Sequence, residues 1–182
     1  HNSWPLWTYP EHSAEELKSL AADVLVTSDF AEAEAALGNG RTVLLSPRKE
    51  DIEGLPGKFV PVFWSPVHFP SEAGAMGVLC SPEHPALADF PTEMHTNWQW
   101  WHLLKNSRFV CLDSITGASP IVSLVDNFAN NRRLATLFEA RCGSGRLVFS
   151  SIELGSPASQ SLEQSQLLAS LLRYMNSTEF SP

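Results

Sequence analysis

Three tryptophans in the segment WQWW, residues 98–101, have the most distinctive spacing in the sequence. On a helix, Trp98 and Trp101 are neighbours at i and i+3, whereas Trp100 points to the other side. Exposed indoles could stack on sugar rings, and buried indoles contribute large areas to cores and interfaces. Tryptophan on both faces favours a helix that is covered on both sides. We therefore favour a core or interface role, and the alternative is a carbohydrate platform made of Trp98, Trp101 and Trp64.

A polar loop follows the strand predicted for residues 121–125. It contains four candidate ligand-binding side chains, which are Asp126, Asn127, Asn131 and Arg132. In an open α/β sheet, loops at the carboxyl ends of strands form the ligand crevice. Asn and Asp side chains also satisfy backbone groups within turns, and turn chemistry alone accounts for this composition. We favour the turn, with the binding loop as the alternative.

Cys80 is the candidate nucleophile, because it lies between a strand predicted for residues 76–79 and a helix predicted for residues 82–87. A nucleophile elbow needs a small residue on both sides of the nucleophile. Val78 and Pro82 stand there instead. This pattern is typical of a buried structural thiol, so no catalytic residue is assigned. A hydrolase that uses Cys80 remains an alternative.

The remaining motif searches favour neither a metal nor a cofactor. His95 and His102 are seven residues apart, but the sequence has no HExxH or Cys-x-x-Cys motif, and a structural zinc needs about four ligands. The two glycine-rich stretches, residues 38–40 and 143–145, lack the rest of a phosphate-binding fingerprint. No spacing marks a glycosidase pair among the available carboxylates, which are Glu93, Asp113, Asp126, Glu139 and Glu153.

Short helices and strands alternate in the first 45 residues. Ser13 and Asp29 are typical helix N-caps, and residues 24–26 and 42–45 are typical buried strands. This alternation indicates βα units around a parallel sheet.

Two elements are predicted near the end of the chain. Residues 134–141 and 146–150 flank a Cys-Gly-Ser-Gly turn and predict a hairpin. A final helix, predicted to begin at Ser156 and Pro157, has an apolar stripe of Leu168, Leu171, Leu172 and Met175. The expected fold is a three-layer α/β sandwich with a mostly parallel sheet and an antiparallel hairpin near one edge.

Length and charge exclude several classes of protein. The 182 residues suit one domain and are too few for a (β/α)₈ barrel, which needs about 250 residues. Twelve basic and 20 acidic residues give a net charge of −8, which makes nucleic acid an unlikely partner. No apolar run approaches the roughly 20 residues that span a bilayer, so membrane insertion is not expected. Because residue 1 is histidine, we expect a fragment or a processed form.

Several segments together resemble the C-terminal region of bacterial family 2 glycoside hydrolases of the β-galactosidase type, which are common in Bacteroides-like bacteria. The segments are residues 7–10, 82–87, 90–92, 98–101, 126–128, 131–134, 143–147 and 171–175. The resemblance implies a class I glutamine amidotransferase-like, flavodoxin-like domain over residues 13–182. Residues 1–12 would be a linker or an edge strand from an upstream domain.

The resemblance also implies a role. Such a domain lacks the amidotransferase nucleophile, and its parent's catalytic glutamates lie in a separate barrel. We therefore expect a non-catalytic accessory domain that supports that barrel, an oligomer interface or the substrate entrance. Its expected partners are the other domains of the parent, carbohydrate and further copies of itself. The expected location is the periplasm or the cell surface.

Overall fold

The computed structural model describes residues 1–60, 68–155 and 161–182. The helices are α1 (Ala14–Leu20), α2 (Phe30–Gly38), α3 (Trp98–Leu104) and α4 (Leu162–Met175). The strands are β1 (Val24–Thr27), β2 (Thr42–Leu45), β3 (Leu55–Pro56), β4 (Gly77–Cys80), β5 (Arg108–Cys111), β6 (Ala118–Val125), β7 (Leu134–Cys142) and β8 (Gly145–Ser150). The protein is thus a mixed α/β domain, as its sequence predicts.

Side-chain caps begin the helices. Ser13 accepts a hydrogen bond from the backbone N–H of Glu16, and Asp29 accepts one from Glu32. Helix α4 begins with a full capping box, in which Ser161 and Gln164 bond each other's backbone N–H groups. The predicted start at residues 156–157 lies outside the described residues, and the helix itself begins five residues later.

The sheet is mixed, so the expectation of a mostly parallel sheet was wrong. Its main path runs β1-β2-β8-β7-β5-β3, and β6 pairs with β7 and with β4. Among the described strands, β2 is parallel to β1 and β8, and the other five pairings are antiparallel. A parallel crossover needs a dozen or more residues. The β6–β7 and β7–β8 connections, residues 126–133 and 143–144, are too short for one.

The β7–β8 hairpin lies in the middle of the sheet and not near one edge. Cys142 is aligned with Gly145, and Gly143 takes a positive φ of 62° in the turn between them. Strand β8 then pairs in parallel with β2 on its other side. The hairpin is therefore the junction between the parallel and the antiparallel parts of the sheet.

Apolar clusters cover both faces of the sheet. Val43 and Leu45 of β2 pack in one cluster with Ala33, Ala36 and Leu37 of α2. Leu44, which points to the opposite face, packs in a larger cluster with the apolar residues of α3 and α4. The four residues of the predicted α4 stripe are all buried in that larger cluster, which confirms the stripe.

Two further segments differ from expectation. Residues 82–87 contain only a short 3₁₀ turn, Pro85–Leu87, because two prolines leave few backbone N–H groups for an α-helix. Residues 1–13 contain no helix or strand. Within this segment, Tyr9 stacks on Phe90 with ring centroids 6.1 Å apart, and His12 Nε2 contacts Gln166 Oε1 of α4 at 2.8 Å. None of the described helices has the length and apolarity to cross a membrane.

Candidate functional site

Helix α3 is anchored by its buried side. Asn97 caps the helix by accepting hydrogen bonds from the backbone N–H groups of Gln99 and Trp100. Trp100 is fully buried, and its Nε1 donates to Thr92 Oγ1 at 2.7 Å. Its ring also meets Phe90 edge to face, with centroids 5.1 Å apart. These contacts hold the short helix in one orientation on the core.

The opposite side of α3 exposes two tryptophans. Trp98 is 63% exposed and Trp101 is 46% exposed, and their rings meet at 80° with centroids 5.9 Å apart. The expectation of a helix covered on both sides is therefore not met within this chain. Trp64, the third predicted platform residue, lies outside the described residues.

Two basic side chains share this exposed side. His102 and Lys105 are both exposed, and they follow Trp98 and Trp101 at one-turn spacing. The Lys105 ammonium lies 5.2 Å from the centroid of the Trp101 ring, within cation–π range. We call Trp98, Trp101, His102 and Lys105 the aromatic–basic face.

The predicted ligand loop is tied together by its own side chains. Asp126, whose side chain is 1% exposed, accepts hydrogen bonds from Arg132 Nε and Nη2 at 2.8 and 3.1 Å. It also accepts the backbone N–H groups of Arg132 and Asn127. The Asn127 side chain accepts the backbone N–H groups of Ala129 and Asn130. Asn131 takes a positive φ of 48°.

These contacts change the ionisation of the Asp126–Arg132 pair. Burial by itself would raise the pKa of Asp126, but the hydrogen bonds and charge of Arg132, with the Asn127 N–H, hold that pKa below its usual value. The pKa of Arg132 is raised, mainly by its hydrogen bond to Asp126. The two charged groups of the loop therefore pair with each other, and the carboxylate also binds backbone N–H groups of the loop, as is typical of a turn.

Cys80 lies in an environment that keeps its thiol protonated. The side chain is buried, and Sγ donates to the Glu93 carbonyl at 3.4 Å. Burial is the largest of the effects that raise the pKa of the thiol to about 11. The nearby His84 instead caps the 3₁₀ turn, with Nδ1 accepting from the Ala86 N–H. Such a thiol is a poor nucleophile at neutral pH.

The other candidate groups stay apart. Over the described ranges, no three His, Cys, Asp or Glu side chains come together in a way that could hold a metal ion. His95 precedes α3 and is not on the helix with His102. Three of the candidate carboxylates accept internal hydrogen bonds: Glu93 from Asn97, Asp113 from the Arg133 N–H and Glu139 from Tyr174.

The structure also contains a cavity that sequence reasoning missed. A space of about 490 Å³ lies where the parallel strands β1 and β2 end, and its polar lining includes Thr27, Ser28, Ser46, Arg48 and Glu153. This is the edge at which open parallel sheets bind ligands. The loop predicted to bind ligand follows β6 instead, whose neighbours are both antiparallel. The sequence around Thr27 and Ser46 contains no recognisable binding motif, so no local signal indicated this cavity.

Fold and side chains together define a mixed α/β domain that presents an aromatic–basic helix face. The chain belongs to the family described as Domain of unknown function (DUF8487), which matches residues 25–182. The match covers every described strand from Leu25 of β1 onward, and α2, α3 and α4. No curated protein matches the chain.

Proposed function

We propose that this chain is a non-catalytic accessory domain of a multidomain glycoside hydrolase of the β-galactosidase type. It would adopt a class I glutamine amidotransferase-like, flavodoxin-like arrangement and act beside the catalytic barrel, at an oligomer interface or at the substrate entrance. The parent would work in the periplasm or at the cell surface. The resemblance of the sequence to such enzymes supports this proposal, as do the helices that cover both faces of the sheet.

The statement that the domain is non-catalytic rests on the contacts that the candidate reactive groups make. Asp126 is neutralised by Arg132, and the Cys80 thiol is buried and hydrogen-bonded to a backbone carbonyl. Asp126 stabilises its own loop, and Cys80 holds the segment that precedes α3 against β4. Chemistry on a substrate would need such groups to be free and to converge on one point.

An assay of the isolated chain tests this proposal. We expect no hydrolysis of p-nitrophenyl β-galactoside, β-glucuronide or α-rhamnoside by purified protein, with an active β-galactosidase as the positive control. Turnover that copurifies with the chain and disappears in Glu153→Gln would overturn the proposal, because Glu153 is the carboxylate that lines the cavity.

Carbohydrate binding is the second candidate, and the exposure of Trp98 and Trp101 favours it. Indoles combine a large apolar surface with one N–H donor, so they suit ligands that have both apolar and polar faces. Surface exposure of two adjacent indoles is uncommon for an isolated domain, since large aromatic groups are usually buried.

A tryptophan-fluorescence titration with galactose-, glucuronate- and rhamnose-containing oligosaccharides tests the second candidate. We expect saturable quenching that is lost in Trp98→Ala and Trp101→Ala. Trp4→Ala is the matched control, because Trp4 is 73% exposed but lies outside α3. A flat titration in the folded wild-type protein would reject carbohydrate binding and leave the structural role.

A further inference from the structure

We infer that the aromatic–basic face of α3 binds acidic oligosaccharides, with uronate rings stacked on the indoles and their carboxylates paired with Lys105. This inference rests on the second candidate function, carbohydrate binding, and adds the charge class of the ligand.

The first support is the local charge. The chain carries 20 acidic residues, yet residues 94–112 contain no Asp or Glu. The same stretch includes His95, His102, Lys105 and Arg108. Glu93, the acidic residue just before the stretch, accepts a hydrogen bond from Asn97 at the base of the helix. Although the net charge of the protein is −8, this stretch has a fixed positive charge at Lys105, the C-cap of α3, and no carboxylate, which complements an anionic ligand.

The second support is that the ammonium group lies beside the aromatic rings. The Lys105 ammonium lies over the Trp101 ring, 5.2 Å from its centroid, so it occupies one face of that ring. The more exposed Trp98 ring, which contacts Trp101, is the stacking surface next to this charge. An ammonium forms charge-assisted hydrogen bonds with carboxylates, which are stronger than bonds between neutral groups. A neutral sugar would use the indoles but would gain little from this charge.

The third support is preorganisation. Trp98 and Trp101 hold each other edge to face, and the buried Trp100 fixes the helix on the core. Tryptophan has two side-chain torsions, so little conformational entropy is lost when it contacts a ligand. Trp98 and Lys105 are two helical turns apart, about 10.5 Å along the axis. That distance favours a ligand of several linked rings.

The experiment compares two probes with the same sugar backbone, one with charged carboxylates and one with neutral methyl esters. Tetragalacturonate and its fully methyl-esterified form have the same rings and linkages, but the ester is neutral. Binding to the wild-type chain is followed by isothermal titration calorimetry at neutral pH and low salt. We expect the acid to bind about tenfold more tightly than the ester, as a charge-assisted hydrogen bond would give.

Variants place the effect on this face. Lys105→Gln is expected to reduce the acid-to-ester ratio to about one. Trp98→Ala is expected to abolish binding of both probes. Lys49→Gln and Trp4→Ala are matched controls that should change neither affinity, because both residues are exposed and lie outside α3. Circular dichroism checks that each variant is folded, as expected for substitutions at exposed side chains.

Each contrary result has its own meaning. Equal affinity for acid and ester would overturn the inference and leave carbohydrate binding standing. If the chain binds neither probe, the inference is overturned. If it also binds no neutral oligosaccharide, carbohydrate binding is rejected as well. If Lys105→Gln still preferred the acid, the inference would be overturned, because another group would then bind the ligand's carboxylates. Displacement of tetragalacturonate by poly-glutamate at the same carboxylate concentration would also overturn it and indicate an acidic protein segment as the occupant.

Discussion

The carboxylate of Asp126 is the charged group on which the loop between β6 and β7 depends. It accepts hydrogen bonds from two nitrogens of the Arg132 guanidinium and from two backbone N–H groups. Asp126→Asn removes the charge and turns an N–H toward these donors. We expect the free energy of unfolding to fall by about 2–3 kcal/mol at pH 7, measured by urea denaturation.

The same carboxylate should make the free energy of unfolding fall as the pH is lowered. Its pKa is lower in the folded chain than in the unfolded chain, where the pKa of Asp is about 3.9. The contribution of this carboxylate to the free energy of unfolding is therefore complete above that value, and it is lost as the pH falls through the folded-state pKa. Wild type and Asp126→Asn should converge in acid. The control is Asp51→Asn, whose exposed pair with Arg48 is worth less than about 1 kcal/mol, and an equal loss there would contradict the prediction.

At the scale of the elements, the end of the β7–β8 hairpin packs directly against the end of α2. A Cβ added to Gly145 would lie 2.6 Å from the carbonyl oxygen of Leu37. Since backbone on both sides would have to move, Gly145→Ala should lower the thermal midpoint and cost about 2 kcal/mol or more.

Gly38, the last residue of α2, is next to Leu37 in the chain, but a substitution there should have the opposite effect on stability. A Cβ added there meets nothing within 4 Å, so Gly38→Ala should stabilise the fold by roughly 0.5 kcal/mol. Differential scanning calorimetry of both variants measures the difference. If the two substitutions changed the stability equally, the close approach of Leu37 to Gly145 would not explain the effect of Gly145→Ala.

Local sequence patterns predicted the elements better than their pairing. Caps and apolar spacing located α1, α2 and the body of α4, because these signals act within one or two turns. The turn between β7 and β8 was a local signal for one antiparallel pairing. The pairings of β4 with β6 and of β5 with β7 join strands far apart in sequence and left none. The exposure of Trp98 and Trp101 was missed for a related reason: tryptophan stands on both sides of α3, and periodicity alone cannot tell which side meets the core.

For the molecule as a whole, the N-terminal segment is part of the packed structure. Tyr9 and His12 contact Phe90 and Gln166, whereas Leu6 is 89% exposed. Deleting residues 1–12 uncovers Phe90 and leaves the buried Gln166 Oε1 without its His12 partner. We expect a loss of about 2–3 kcal/mol in urea denaturation.

Deleting only residues 1–6 is the matched control, and it should leave the stability within about 0.5 kcal/mol of wild type. A large loss from the shorter deletion would mean that the exposed aromatic residues at the start of the chain matter to the fold. The sequence predicted a linker or an edge strand here and gave no signal for these contacts, because Tyr9 and His12 make them with residues far along the chain.

The position of β2 between β1 and β8 has a consequence during synthesis. All four residues of β2 are buried, and Thr42 is aligned with Arg146, which the ribosome adds 104 residues later. At about 5–20 residues per second, one edge of this apolar strand waits roughly 5–20 s for its partner. An unpaired apolar strand edge is a template for association between chains. We therefore expect the growing chain to be most prone to association with other chains during the interval before β8 is made.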